Sequence, residues 1–313
     1  TVKSEFARRY FVAPALHGTL ETASATARYT GDRIELWVAS QAPERTRDAV
    51  AKSLGISMDN VVLYPMSAGG SFDRRIEHEH AIEVALIARE VSQEQTRPVQ
   101  LVWSRWQEHL AGLPRTPAAA LVWADLRDGA NGRIDALQAR IAAPPIALEL
   151  GERLFGNKTP RAARIAATGK KDPLAVEGAV PPYGIPNVLI DHVPVDVGHP
   201  AGKMRGNAHD YTTFATESFV DEVADMFGSE PLSYRIEMLG QDVRMVSCLQ
   251  RAARLAEWDG GRDQSGQGLA CHKMVSGGRE GRIACIATAR RDSGGVRVSR
   301  ISAAVDIGRI VNL

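Results

Sequence analysis

Ile34, Leu36 and Val38 alternate with Glu35 and Trp37, and a helical pattern opens directly afterwards at Pro43. Alternation at period 2 marks a strand with one buried face. Ala49, Val50 and Leu54, followed by Gly55, suit a helix with proline at its start and glycine just past its end. Residues 61–63 then return to a short apolar strand. Strand, helix and strand in close succession predict a mixed architecture.

The interleaving continues. The turn Ala68-Gly69-Gly70-Ser71-Phe72 precedes a predicted helix with Ile76, Val84, Ile87 and Val91 on one face. Val99, Leu101 and Trp103 alternate again, and residues 118–126 and 134–142 read as two further strands of the same sheet, joined by a turn at 128–132. Between 156 and 186 the composition shifts to Lys, Pro, Gly and Ala, which predicts a long excursion and a boundary between residues 1–170 and 171–313. Beyond it lie a strand at 188–197 and a helix carrying Phe219, Val223 and Phe227, stopped at Gly228. A second helix follows, with Ser229 as its cap ahead of Pro231, and a third at 249–258. Strands at 283–287, 296–301 and 303–307 close the chain. The expected class is α+β, with mixed sheets and packed helices in two parts.

Charge narrows the partners. Lys and Arg number 38 against 37 Asp and Glu in 313 residues, so a nucleic-acid partner, which calls for a basic excess, is not expected. No apolar run approaches the roughly 20 residues of a membrane-spanning helix. Cys248, Cys271 and Cys285 show neither a CxxC pair nor a metal spacing, so this chain is not expected to hold a zinc or iron–sulfur site. The chain starts at Thr1 without a signal-peptide pattern, which leaves cytoplasm and periplasm both open.

Most catalytic motifs fail on chemistry. Gly151 and Gly156 stand at P-loop spacing, but Asn157 displaces Lys158-Thr159 from the required place. Gly266-x-Gly268 lacks its third glycine, and Ser67 has Pro65 where a nucleophile elbow needs glycine. In His78-Glu79-His80 the two histidines diverge on a helix, which favours a solvated helix start over a metal site. Asp210 beside His209 reads as a helix N-cap rather than half of an acid–base pair.

What remains is a set of segments in a fixed order. They comprise Arg9 through Glu21, with His17 and Glu21 in an H-x-x-[ML]-E pattern, and Glu35-Leu36-Trp37-Val38-Ala39-Ser40-Gln41-Ala42-Pro43. Then come Gly69-Gly70-Ser71-Phe72-Asp73-Arg74-Arg75, Pro98 to Arg105, and Pro114-Arg115-Thr116-Pro117. Met204-Arg205-Gly206 is followed by Glu217-Ser218-Phe219-Val220-Asp221-Glu222, and the last is Val305-Asp306-Ile307-Gly308-Arg309-Ile310-Val311-Asn312. In this order the chain resembles the molybdenum-binding large subunit of the xanthine oxidase and aldehyde oxidase family, in its isoquinoline 1-oxidoreductase beta-subunit type. The family shows GGGFGRR at residues 69–75, WRS at 204–206 and ESFIDE at 217–222.

The resemblance implies a molybdenum cofactor-binding-domain fold and a part in oxidising an aldehyde or N-heterocycle, with water as oxygen source and hydride passing to molybdenum. It implies cofactor contacts at Gly69, Gly70, Ser71, Phe72, Arg205 and Gly206, and a substrate-facing Arg115. Glycines lacking a Cβ let backbone approach a pterin and its phosphates, and arginine makes planar bidentate contacts with such groups. The implied cofactor is molybdenum–molybdopterin, as such or as the cytosine dinucleotide. The implied partners are the C-terminal half of the molybdenum subunit, a small [2Fe-2S] subunit and a small-molecule substrate. The family's catalytic glutamate follows the last segment, so no catalytic residue and no protein ligand to a metal is expected within these 313 residues, and the chain alone is expected to be inert. Ser71 and Asp73 replace glycines, and Met204 replaces a tryptophan. These departures keep open a degenerate, non-catalytic scaffold or assembly role, beside an unrelated hydrolase for which no nucleophile–base pair stands out.

Overall fold

The computed structural model describes residues 6–127, 132–261 and 265–312. The predicted turn at 128–132 lies outside these residues except for Gly132, whose φ of +53° and 1.9 Å clearance between a would-be Cβ and the Phe227 ring explain a glycine there. The class is α+β, as expected, with mixed sheets and packed helices.

A first unit runs through β2 (Ser24–Thr30), β3 (Arg33–Val38), α1 (Pro43–Leu54), β4 (Val61–Pro65), α2 (Glu79–Ser92) and β5 (Val99–Val102), after an initial strand β1 (Phe6–Val12). Its sheet has the order β4-β3-β2-β5, with β3 and β4 parallel across α1. Pro43 opens α1, and Gly55 ends it at φ 71° with the Ile56 N–H reaching back to the Ala51 carbonyl at 3.0 Å. The buried face of α2 is Ala81, Val84, Ala85 and Ala88 rather than the predicted stripe, because close approach to Ala25 and Ala27 on β2 needs small side chains. Ile76 instead ends a 3₁₀ turn at Arg74–Ile76, and Ile87 faces out.

The second sheet joins β1, β6 (Ala118–Leu126), β7 (Ile134–Ala143) and β8 (Asn187–Pro194), after a short helix α3 (Arg105–Ala111). Residues 118–126 and 134–142 are therefore strands as predicted, but of a different sheet from β2–β5. Between β7 and β8 the excursion contains two helices, α4 (Ile146–Leu154) and α5 (Pro160–Ala167), and Gly151 sits inside α4. Strand β8 pairs parallel with β7. A boundary at 170 would cut through this sheet, and one buried cluster extends from Phe6 and Tyr10 through Ile141 to Ala304. The cores divide the chain differently: residues 25–101 hold one, and the flanking segments together hold the other.

Three helices follow, α6 (His209–Met226), α7 (Pro231–Leu239) and α8 (Val243–Ala256). Fully buried Phe219 of α6 packs on Phe6, their ring centroids 5.4 Å apart. Such a side chain contributes about 2–3 kcal/mol by leaving water. Glu230, not Ser229, caps α7, accepting the N–H groups of Leu232 and Ser233. The chain ends in an antiparallel meander of β9 (Gln267–Ser276), β10 (Arg279–Asp292) and β11 (Gly295–Asp306). The two last predicted strands are one continuous β11. Strand β9 has no counterpart among the predicted strands, because its glycine and lysine positions break the apolar alternation.

Candidate cofactor-binding site

The loop after β4 is shaped by three positive φ angles, at Gly70 (95°), Phe72 (51°) and Asp73 (71°). Gly69 lies tight against Glu21: its N–H donates to Glu21 Oε2 at 2.6 Å, and its carbonyl accepts from the Glu21 N–H at 3.3 Å. A Cβ there would fall 2.6 Å from that carboxylate oxygen. The Gly69 donor is therefore engaged within the protein, while Gly70 has only ordinary contacts around it.

Gln41 fastens the far side of the loop. Its backbone N–H donates to the Arg75 carbonyl at 2.8 Å, its amide nitrogen donates to Asp73 Oδ1 at 3.0 Å, and its amide oxygen accepts from the Ser71 hydroxyl. Ser71 Oγ also accepts the Arg75 N–H at 3.1 Å, and Asp73, at the N-cap position of the 3₁₀ turn, makes no capping bond with its side chain. The Asp73 carboxylate turns to Lys203 at 3.4 Å, which offsets its charge beside the loop.

Beneath the loop, Arg74 and Arg75 are buried at 2% and 4% exposure. Glu108 of α3 holds both, at 3.2 Å from Arg74 and 3.8 Å from Arg75, and its other oxygen accepts the Ala23 N–H at 2.6 Å. Burial lowers the Arg75 pKa, opposed by the Glu108 charge. Neither arginine is a solvent-facing ligand donor; they anchor the loop to the sheet.

The second turn approaches from the other half of the chain. The Arg205 N–H donates to the Phe72 carbonyl at 3.1 Å, and the Arg205 guanidinium lies 5.8 Å from the centre of the Phe72 ring. Gly206, at φ 95°, has open space where a Cβ would be. The Gly69–Phe72 turn and the Arg205–Gly206 turn, both implied as cofactor contacts, thus form one exposed surface, with Phe72 44% exposed.

Arg115 behaves differently. Its guanidinium is held by Asp210 and by the Ala13 carbonyl, and its backbone bridges Ala15 and Gly202. It braces the approach to the Arg205 turn instead of facing outward to a substrate. Asp210 lies within the first turn of α6 and is not its N-cap, which is Ala208. His209 pairs with His272, Nδ1 to Nε2 at 2.7 Å, and burial followed by the His209 charge pulls the His272 pKa down to about 4. His78 and His80 are buried, not solvated as predicted, and no cluster of three or more metal-ligating side chains occurs among the described residues.

Glu217 and Asp221, singled out within a motif, are structural. They clamp the fully buried Arg235 of α7, while Glu217 also accepts the Cys271 N–H at 2.8 Å and the Tyr183 hydroxyl at 2.7 Å. Gln41 and Glu21 stand in the ordered motifs without a role that sequence assigns them. Glu108 carries no signal beyond its place near the start of a helix.

Residues 3–144 match the molybdopterin cofactor-binding domain family. The chain is 26% identical to the beta chain of isoquinoline 1-oxidoreductase from Brevundimonas diminuta, over 88% of this chain and 34% of that protein. It is 25% identical to a subunit of nicotinate dehydrogenase from Pseudomonas putida, over 97% of this chain and 26% of that protein. Among solved structures, quinoline 2-oxidoreductase from Pseudomonas putida 86 superposes with a TM-score of 0.65 at 18% identity, covering 95% of this chain and 40% of that one. Aldehyde oxidoreductase from Desulfovibrio gigas gives 0.65 at 19% identity, over 95% and 33%. The fold is shared with chains of quinoline 2-oxidoreductase and aldehyde oxidoreductase. The match to the cofactor-binding domain family covers residues 3–144, and the chain spans a quarter to a third of the length of the curated relatives cited.

Proposed function

We propose that this chain is part of a molybdenum hydroxylase and supplies one wall of its molybdopterin site. The observation that carries the reading is the Arg205 N–H bond to the Phe72 carbonyl, which unites two turns distant in sequence into one surface. The residues fit such a group. Gly70 and Gly206 keep the backbone approachable, Phe72 offers an exposed apolar wall, and Arg205 presents a guanidinium whose planar fork suits phosphate or pterin oxygens. Ser71 and Gly69 hold the turn in shape, the latter through Glu21.

Molybdenum–molybdopterin, in its simple or cytosine dinucleotide form, supplies when bound the two-electron redox chemistry for hydroxylating an aldehyde or N-heterocycle. Substrate C–H and water become C–OH, with two protons and two electrons released. The electrons leave through a [2Fe-2S] partner, and the remainder of the molybdenum subunit completes the cofactor cage and contributes the catalytic base. Ile283 of β10 and Ile301 and Val305 of β11 are exposed on the face of their sheet opposite α8, which supports an apolar contact with that remainder. Among the described residues no helix is long and apolar enough to cross a membrane.

A second reading is a non-catalytic scaffold of the same complex, favoured by the Gly69 donor being engaged by Glu21 and by a side chain at position 73. Molybdenum and pterin analysis of the purified complex separates the two. Stoichiometric metal in the native protein, lost in Arg205→Ala and Gly70→Val variants that still assemble, supports the cofactor role. A complex free of molybdenum and pterin supports the scaffold.

A further inference from the structure

The two turns of the proposed cofactor wall come from different parts of the fold, and a buried arginine links their supports. Arg153 lies near the end of α4 and is 3% exposed. Its Nε donates to both oxygens of Glu77 at 3.0 Å, and its Nη2 donates to Glu77 Oε1 at 2.6 Å. The same Nη2 donates to the Ala201 carbonyl at 3.0 Å. Nη1 lies 3.7 Å from Glu149 Oε2, and that oxygen accepts the Ala201 N–H at 3.1 Å. Both polar groups of the Ala201 backbone are thus held by two side chains one turn apart on α4.

Each end of this linkage sits a few residues from one of the turns. Glu77 directly follows the 3₁₀ turn Arg74–Ile76, which Glu108 anchors and which continues the loop through Phe72 and Asp73. Ala201 leads through Gly202 and Lys203 to Arg205. That short connection has little slack. The Gly202 N–H donates to the Pro114 carbonyl at 2.7 Å, and a Cβ on Gly202 would fall 2.0 Å from the Leu113 carbonyl oxygen. His17 Nε2 lies 2.7 Å from the Lys203 carbonyl oxygen. A shift of Ala201 relative to Glu77 therefore reaches Arg205 and Phe72, whose N–H to carbonyl bond spans 3.1 Å.

We propose that Arg153 is a positioning residue for this wall, fixing the distance between the Gly69–Phe72 loop and the Arg205–Gly206 turn by gripping Glu77 and Ala201 together. The purpose of the grip rests on the cofactor reading above; its existence rests on the geometry. Arginine suits the task because one planar fork serves a carboxylate and a carbonyl at once. A lysine ammonium keeps the charge without the fork. Arg153→Lys is accordingly expected to fold while the wall loosens.

Hydrogen–deuterium exchange of the purified protein, in whatever complex it is isolated, reads this through the amides at 203–207. Wild type and variants are compared at equal molybdenum content, so that a bound group shields them alike. In Arg153→Lys, exchange at 203–207 is expected to rise at least about tenfold, the scale of one lost hydrogen bond to a charged group, while β6 and β7 keep wild-type rates. Glu77→Gln cuts the same grip from the other end and leaves Arg153 the Glu149 carboxylate. It is expected to give the same local rise, which keeps the test decisive where the lysine variant fails to fold. Unchanged exchange at 203–207, or a rise shared equally by β6 and β7, overturns the proposal. Molybdenum analysis during dialysis tests the underlying reading separately. Faster metal loss from the variants ties the grip to the cofactor, whereas a local rise in a protein whose wild type holds no molybdenum upholds the grip and removes the cofactor reading.

Discussion

Arg74 Nε lies 3.2 Å from Glu108 Oε1, and both side chains are almost completely withdrawn from water. Removing one partner of a buried ion pair leaves the other uncompensated, at a cost of about 3–5 kcal/mol. Glu108→Ala leaves Arg74 with only the Glu79 carboxylate at 3.4 Å, leaves Arg75 with no carboxylate and only the Glu21 carbonyl, and frees the Ala23 N–H. Urea unfolding of this variant is expected to show a loss in that range, and a loss below about 1 kcal/mol would contradict the anchoring role.

Asp73 adopts φ 71° where the resembled pattern has glycine. A side chain in the left-handed region costs roughly 1–2 kcal/mol, here offset by the bonds to Gln41 and Lys203. Asp73→Gly should therefore be close to neutral, within about 1 kcal/mol, while a β-branched Asp73→Val should lose about 2 kcal/mol or more. Thermal unfolding of the pair measures the difference, and equal losses would refute the account.

The two glycine turns should respond differently to alanine. Gly69→Ala drives a methyl into the Glu21 side chain, 2.6–2.8 Å away, and should cost about 1–3 kcal/mol. Gly206→Ala meets no atom within 4 Å and carries only the strain of its φ of 95°, about 1–2 kcal/mol. Gly69→Ala is also expected to displace the loop and release bound molybdenum, read by metal analysis after dialysis. Retention at the wild-type level would speak against the loop's proposed role.

His80 titrates far below its ordinary value. Burial, and then the neighbouring Arg75 and Arg74, push it down from 6.5 to about 3. Between those values the unfolded chain binds a proton that the folded protein does not. Stability is therefore fully present above pH 6.5 and falls as pH drops through the window, by on the order of 1 kcal/mol per pH unit. His80→Leu should flatten that part of the profile, as measured by denaturant unfolding at pH 7 and pH 5. An unchanged slope would show that His80 is not the group responsible.

Local chemistry makes much of this fold readable. Alternation at Ile34–Leu36–Val38, the proline and glycine bounding α1, and the unbroken pattern of β6 each report a strand or helix through its own residues. The buried face of α2 escapes such a reading because alanines, which carry little periodic signal, form it. The boundary expected at 170 fails because Lys-, Pro- and Gly-rich sequence looks alike in a linker and in the excursion that carries α5 and returns to β8. At the site, the meeting of Phe72 and Arg205 is legible through ordered motifs. The inward turn of Arg74, Arg75 and Arg115 is not, since only tertiary partners such as Glu108 and Asp210 decide where a guanidinium goes.

Strand β1 ends at Val12, and its partner β6 begins only at Ala118. During synthesis the sheet of β2–β5 and its two helices emerge whole before β6 exists. That unit can close around its own core first, while β1 stays unpaired. Its early collapse shortens the effective loop that β1 and β6 must close, reducing an entropic cost that grows with loop length. Truncated chains ending near residue 104 should accordingly already show protease protection across 24–102 and none at 6–12. The order of assembly is written into the nesting of one sheet within the connection of another.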